Sequence, residues 1–319
     1  MKILFLSLLS FYFCNCAQLQ TMMGGDNKPT FSLKSIDITK ITLENISLKL
    51  LTDIKNPYPL AIPRSLVDMD IGIEGFTLTK FKTDLGKIES NSSKTQGIDL
   101  VMKYSDLLEI YKKVPSKELL DVKLNGTLGL PIPESLQFAG KQKFDFPINE
   151  TKQIPAILPS IDIKNFKIIK PEPKINVSGV QATAYSYLER LLSGKKVPLG
   201  SAASEGLSIV DIDVATEFDI SLINQAASKL NFSNLKYDLN LNGEKFVAGI
   251  PSEIITNGKE SLIRVKSSFP LKSLSSGIVS AIQTKSSAFQ LNGVSGIKVD
   301  GLPDGLMNFE YDKKGNFKW

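Results

Sequence analysis

The 319-residue sequence contains no histidine, and that absence closes off a large part of enzyme chemistry. Without imidazole there is no Ser-His-Asp or Cys-His constellation, no histidine-ligated zinc, and no side chain whose ordinary pKa makes it a switch near neutrality. Cysteine is almost as scarce, because the two present, Cys14 and Cys16, both lie at the end of an N-terminal apolar run. The body beyond Ala17 therefore has no disulfide, no thiolate nucleophile and no cysteine metal cluster. A strong charge of one sign is missing too: 38 basic residues oppose 33 acidic ones, for a net +5. No basic run interleaves with aromatics, so nucleic-acid binding has no support. The inventory points to a non-enzymatic chain with no metal and no cofactor.

A stretch long enough to span a membrane is lacking as well. Met1-Lys2 supplies a short positive start, and Ile3 to Phe13 is apolar apart from Ser7 and Ser10. A membrane span needs about 20 apolar residues, so this segment reads as a cleaved export signal. It continues Phe13-Cys14-Asn15-Cys16-Ala17, which resembles a bacterial lipoprotein lipobox with cleavage before Cys16. The common Leu-Ala-Gly-Cys form is relaxed here, since Phe13 and Asn15 hold the positions three and one before Cys16; such relaxed forms are familiar in spirochaete lipoproteins. Cleavage after Ala17 would instead place Asn15 where a small residue is wanted, and Phe13 is too bulky to precede an acylated Cys14. The resemblance implies a signal peptide over 1–15, acylation of Cys16, a membrane partner through that anchor, and an envelope location, the outer membrane first among the choices. Residues 16–30 are polar, with Gly24-Gly25 and Pro29, and read as a flexible tether.

Apolar and polar residues alternate along nearly the whole remaining chain. Ile46, Leu48, Leu50 and Ile54 share one parity; Val67, Met69, Ile71 and Ile73 share another; Val122, Leu124, Leu128 and Leu130 a third. A period of two buries one face of each strand and wets the other, as in antiparallel sandwiches. The order then repeats. Val210, Ile212, Val214, Phe218, Ile220 and Leu222 form a long strand ending at Asn224, as the earlier one ends at Asn56. Leu235, Tyr237, Leu239 and Leu241 match Val67 to Ile73, Gly243 matches Gly75, and Leu124-Asn125-Gly126 recurs as Leu291-Asn292-Gly293 at an almost constant offset. Ser35-Ile36-Asp37-Ile38 recurs as Ser160-Ile161-Asp162-Ile163 at a shorter offset, which implies an insertion near 170–208 in the second copy.

The expected fold is all-β, with two tandem immunoglobulin- or fibronectin-like antiparallel sandwiches over 31–154 and 155–319. One short helix is expected in each copy. In the first it covers Asp106 to Val114, with Asp106 and Glu109 spaced as a capping box and Pro115 ending it. In the second it lies near Ser275 to Gln283. A further helix in the insertion follows from Ala184, Tyr187, Leu188 and Leu191, with Gly194 as its stop.

The most specific motif is Asn56-Pro57-Tyr58-Pro59-Leu60-Ala61-Ile62-Pro63. A long alternating strand, this proline-punctuated turn and a strand leading to a glycine turn together resemble the type 2 late embryogenesis abundant family, whose domain is also named for water stress and hypersensitive response. The resemblance covers Ser35 to about Ile154, and it reaches the second copy only through the first, because Asn224-Gln225-Ala226-Ala227 keeps the Asn and loses both prolines. It implies a small sandwich with one helix, no catalytic residues to carry over, and an association with desiccation and other stress. The residues themselves favour a structural role. Pro57, Pro59 and Pro63 fix φ and remove donors, and Asn56 can cap the freed backbone. The acidic row Asp211, Asp213, Glu217 and Asp219, like Asp68, Asp70 and Glu74, reads as a solvated face, because calcium takes its ligands from a wrapping loop and not from a straight strand. Six Asn-x-Ser/Thr triplets, beginning at Asn45, Asn91, Asn125, Asn149, Asn176 and Asn231, would offer glycosylation sites in a eukaryotic secreted protein and carry no weight in the bacterial lipoprotein that the lipobox resemblance implies. Lys313, Lys314 and Lys318 read as a wet strand edge, and Phe317 and Trp319 as closing the second core. The functional expectation is a membrane-anchored, stress-associated binding or protective module, its two copies raising effective concentration against a shared partner. The alternative is a lipid carrier or envelope adaptor, in which a sandwich admits an acyl chain.

Overall fold

The strong period-two patterning is realised as strands nearly everywhere. The computed structural model describes residues 28–131, 143–171, 179–197, 212–251, 253–257, 259–299 and 306–319. The chain is all-β, with sandwich-like sheets and three short α-helices among the described residues. It divides into two compact units: Met1–Ile38, Ser47–Met102 and Leu120–Ile154 form the first, and Thr39–Ile46, Lys103–Leu119 and Pro155–Trp319 the second.

β1 (Thr30–Ile41) and β2 (Asn45–Asn56) form a hairpin whose strands lie mostly in the first unit and whose turn belongs to the second; at that turn the Thr42 N–H donates to the Asn45 carbonyl at 2.9 Å. β5 (Ser92–Lys103) lies beside β2. The facing layer runs in the order β4 (Phe76–Asp84), β3 (Leu66–Ile73), β6 (Leu119–Pro131) and β7 (Lys143–Pro155). Leu48, Leu50 and Ile54 from one layer and Val67, Met69, Ile71 and Ile73 from the other are fully buried. The expected core parities are the observed ones.

In the second unit one layer is β11 (Glu244–Gly249), β10 (Leu230–Leu241), β14 (Ser286–Val299) and β15 (Met307–Lys318). The other is β12 (Glu253–Asn257), β13 (Glu260–Pro270), β9 (Asp213–Asn224) and β8 (Pro159–Ile169). Helices α1 (Tyr104–Lys113), α2 (Val180–Leu192) and α3 (Ser276–Thr284) belong to this unit. Its core is rich in aromatic rings. Phe166 meets Trp319 at a centroid distance of 4.7 Å, Phe317 at 5.1 Å and Phe218 at 5.9 Å, and Phe246 meets Phe269 at 4.8 Å. Edge-on, tilted and stacked pairs like these satisfy the ring quadrupole while filling volume. Phe317 and Trp319 thus pack where the sequence places them.

The two units share local details. Glu74 and Gly75 have φ of 51° and 83°, and Asn242 and Gly243 have φ of 49° and 84°, so the same left-handed two-residue turn closes both hairpins. At Gly126 a Cβ would lie 2.2 Å from the Asp68 carbonyl oxygen, and at Gly293 one would lie 2.0 Å from that of Lys236. Both glycines let two strands approach more closely than any side chain permits.

Four expectations need correction. α1 starts at Tyr104 and not Asp106, and no side chain caps it; β5 runs straight into the helix and the Tyr104 N–H donates to the Glu44 carbonyl at 2.8 Å, which leaves the capping box without a task. Glu109 instead pairs with Lys112 at 2.7 Å. The Ser-Ile-Asp-Ile match is also misleading, because by burial Phe31, Leu33 and Ile36 of β1 correspond to Ile161, Ile163 and Phe166 of β8, and the buried Pro29 to the buried Pro159. A register shift between Lys164 and Lys167, with Asn165 at φ 52°, displaces the later residues. Pairing is not wholly antiparallel: Ile41, in the second unit, pairs in parallel with Phe309. Finally, the acidic row is less wet than expected, as described below. α2 and α3 lie where the helical spacing puts them, with Ala184, Leu188 and Leu191 buried and Ser275 capping α3.

Candidate functional site

The last residue of β2, Asn56, is fully buried. Its Nδ2 donates to the Leu60 and Glu89 carbonyls, both at 2.9 Å, and its Oδ1 accepts from the Tyr58 N–H at 3.0 Å. The carboxamide therefore supplies the partners that the strand ladder no longer provides once Pro57 and Pro59 have removed their donors. Beyond it Ile62 and Ile88 exchange backbone bonds of 2.8 and 2.9 Å, and the Asn91 N–H donates to the Tyr58 carbonyl at 2.8 Å. Pro57 and Tyr58 are half-buried, and burial pushes the Tyr58 hydroxyl up from its usual range. Pro59, Leu60 and Pro63 are exposed. The motif is thus one closed turn with an apolar crest.

The last residue of β9, Asn224, repeats the design. Nδ2 donates to the Ser228 carbonyl at 2.6 Å and Oδ1 accepts from the Ala226 N–H at 3.3 Å, the same two-residue and four-residue reach as at Asn56. Nδ2 also donates to a distant carbonyl, that of Ala156 at 3.0 Å, as Asn56 does to Glu89, and one bond has no counterpart there: Oδ1 accepts from the Leu158 N–H at 2.7 Å. The Gln225 N–H donates to the Leu158 carbonyl at 2.9 Å. Proline at that position would have no hydrogen to give, so this turn could not carry the Pro57 of the first one without losing the bond. Ala226 and Ala227 are buried, so the turn lies flush under residues 156–158. The Tyr111 hydroxyl donates to the Ile157 carbonyl at 2.8 Å, the Ala156 N–H donates to the Glu118 carbonyl at 2.8 Å, and the Ser228 hydroxyl also donates to that carbonyl. Burial pushes the Tyr111 phenol up. Sequence reasoning missed this clamp; the signal that could have exposed it was a retained Asn beside vanished prolines.

Of the acidic row, Asp211 lies outside the described residues, Asp213 is exposed, and Asp219 is buried. Asn165 donates to Asp219 at 2.7 Å, and Arg264 stands 3.6 Å from its other oxygen. Glu217 pairs with Lys167 at 2.6 Å and Lys266 at 3.7 Å, and the Lys167 bond holds its carboxyl below the usual range. Lys164 at 2.8 Å and Ser221 at 2.6 Å do the same for Glu260. Cations from the neighbouring strands pair with the carboxylates of this face. A polar cavity of about 280 Å³ opens among Asn165, Lys167, Glu217, Asp219, Arg264 and Lys266. Among the described residues no group of three or more acidic side chains is gathered closely enough to hold a metal ion. In the first unit Lys82 pairs with Asp68 at 2.8 Å and Lys80 with Asp70 at 3.8 Å, while Glu74 accepts from the Asp121 N–H at 2.7 Å. Cys16 lies outside the described residues, and no described helix is long and apolar enough to cross a membrane.

No family model and no curated relative matches the chain. Among solved structures, an Arabidopsis thaliana protein is similar at 22% identity and a TM-score of 0.34, covering 40% of this chain and 82% of its own. A candidate late embryogenesis abundant protein is similar at 16% identity and a TM-score of 0.34, with 47% and 83% covered. Red sea bream transglutaminase is similar at 10% identity and a TM-score of 0.24, with 90% and 30% covered.

Proposed function

We propose that this chain is a non-enzymatic, membrane-anchored lipoprotein carrying two copies of a domain of the type 2 late embryogenesis abundant kind, and that it acts as a stress-associated binding or protective module. The observation that supports the reading is the pair of turns at Asn56 and Asn224. Each carboxamide ends a long strand and bridges the N–H two residues on and the carbonyl four residues on, as duplication of one motif-bearing domain would produce. Work on partly dehydrated proteins or envelope surfaces would then run through surface and strand edges, whose unpaired backbone groups bind without demanding a sequence.

Two measurements test the parts separately. Radiolabelled palmitate should enter the wild-type protein and not Cys16→Ala; equal labelling of both removes the anchor. The chain beginning at Ala17 should protect a labile enzyme through drying and rehydration better than an equal mass of an unrelated β-sandwich, and a deletion strain should survive osmotic shock poorly. Equal protection together with normal survival removes the stress role.

A further inference from the structure

We propose that the crest of the Asn56 turn is a membrane-contact surface that rests on the bilayer to which the chain is tethered. The inference deepens the lipoprotein reading, and it starts from where the chain leaves the first unit. β1 and β2 form a hairpin turned at Thr42–Asn45, so the start of β1 lies beside the end of β2. Lys34 and Asp53, 3.2 Å apart, confirm the pairing near that end. The chain therefore enters the unit at Lys28-Pro29, next to Asn56 and its turn. The chain between this entry and the proposed acyl group on Cys16 is residues 17–27, which span at most about 40 Å when extended, so the anchored chain enters at the crest end of the unit.

The crest has the chemistry of an interfacial contact. Leu60 is 68% exposed at its tip, flanked by exposed Pro59 and Pro63 and half-buried Tyr58 and Ala61. Leucine supplies apolar area to insert, and tyrosine has the ring-plus-hydroxyl character of the headgroup layer. Around it stand exposed Lys28, Lys55, Arg64 and Lys87 against Asp84 and Glu89. Arg64 gives its Nε to Asp84 at 2.7 Å, and Lys87 pairs with Glu89 at 2.8 Å. The rim keeps a positive balance, which complements anionic headgroups. In the second unit the matching turn is covered by residues 156–158 and exposes no such crest.

The test uses the chain beginning at Ala17, which keeps every described residue and has neither the leader nor a cysteine. It is mixed with vesicles of phosphatidylcholine and phosphatidylglycerol, and bound protein is measured by co-flotation. Binding should appear at low salt and weaken as salt rises. Leu60→Asp should bind about tenfold more weakly, while Ile250→Asp, at an exposed apolar site of the second unit, should bind as wild type does. Equal thermal unfolding of the variants shows that the exposed substitutions leave the fold intact. No binding at low salt, or equal binding by Leu60→Asp and wild type, overturns the proposal. Because this chain lacks Cys16, palmitate labelling can fail while vesicle binding stands, and the reverse.

Discussion

Asn224 is 1% exposed and makes four hydrogen bonds, so the substitutions Asn224→Ala and Asn224→Asp separate hydrogen bonding from packing. Alanine removes both donors and the acceptor. The Leu158 N–H is then orphaned in a buried place, and the Ser228 and Ala156 carbonyls each lose a donor. An unsatisfied buried group costs about 1–3 kcal/mol. The Ala156 carbonyl still accepts the Ser228 N–H at 3.4 Å, so the total should be about 3–5 kcal/mol. Aspartate keeps size and acceptor but replaces Nδ2, which gives both donated hydrogens, with one oxygen facing both carbonyls, and should be at least as harmful. A site that only needed filling would tolerate aspartate. Trp319, packed on Phe166 and Phe317 of the second unit, is the chain's single tryptophan and reports that unit by fluorescence in urea unfolding. Asn56→Ala should be milder, about 2 kcal/mol, because it breaks three bonds and the Leu60 carbonyl can rehydrate at the exposed crest. Asn224→Asp within about 0.5 kcal/mol of wild type would refute the clamp.

Three other perturbations follow from packing and charge. Phe218→Ala should leave a cavity beside Phe166 and Tyr237 and lower second-unit stability by about 3–5 kcal/mol in the same urea assay. Gly126→Ala and Gly293→Ala should each destabilise by more than about 2 kcal/mol, since the new Cβ meets a ladder carbonyl and not a movable side chain; near-neutral midpoints would contradict the close approach. The carboxyls of Asp84, Glu217 and Glu260 are held low by the Gly86 N–H, Lys167 and Lys164 respectively. A depressed folded-state pKa means the unfolded chain binds more protons, so their contribution is present above the ordinary carboxylate pKa of about 4 and fades as pH falls below it. Melting temperature should drop on acidification through that range, and less so in Glu217→Gln.

Much of this architecture could be read from alternation alone, because one wet face and one dry face leave a parity that no other element produces. Leu48, Met69, Phe218 and Leu239 stand in the core for that reason. Hairpin turns were legible through Gly75 and Gly243, whose positive φ restricts what can stand there. Three features stayed hidden because they depend on partners distant in sequence. The parallel Ile41–Phe309 pair leaves no local pattern. α1 lost its capping box to a carbonyl supplied by Glu44. The true correspondence of β1 and β8 shows in burial along the whole strands, Phe31, Leu33 and Ile36 with Ile161, Ile163 and Phe166, which a four-residue identity does not report. At the candidate site the Asn56 turn is readable as structure from its prolines, whereas the turn at Asn224 depends on residues 156–158, far away in sequence.

The composition of the second unit bears on how it can be made and handled. Its compact set includes Thr39–Ile46 and Lys103–Leu119 as well as everything after Pro155. A fragment cut at the apparent repeat boundary would forfeit the Tyr111 bond to Ile157, the Glu118 carbonyl that receives Ala156 and Ser228, and the strand end at Ile41. Closure across so long a separation is entropically slow, so the second unit should complete its folding late, after the hairpin of β1 and β2 has formed locally. Refolding monitored at Trp319 should lag behind recovery of bulk strand signal, and the half-chain from Pro155 onward should expose apolar surface and aggregate where the whole chain does not.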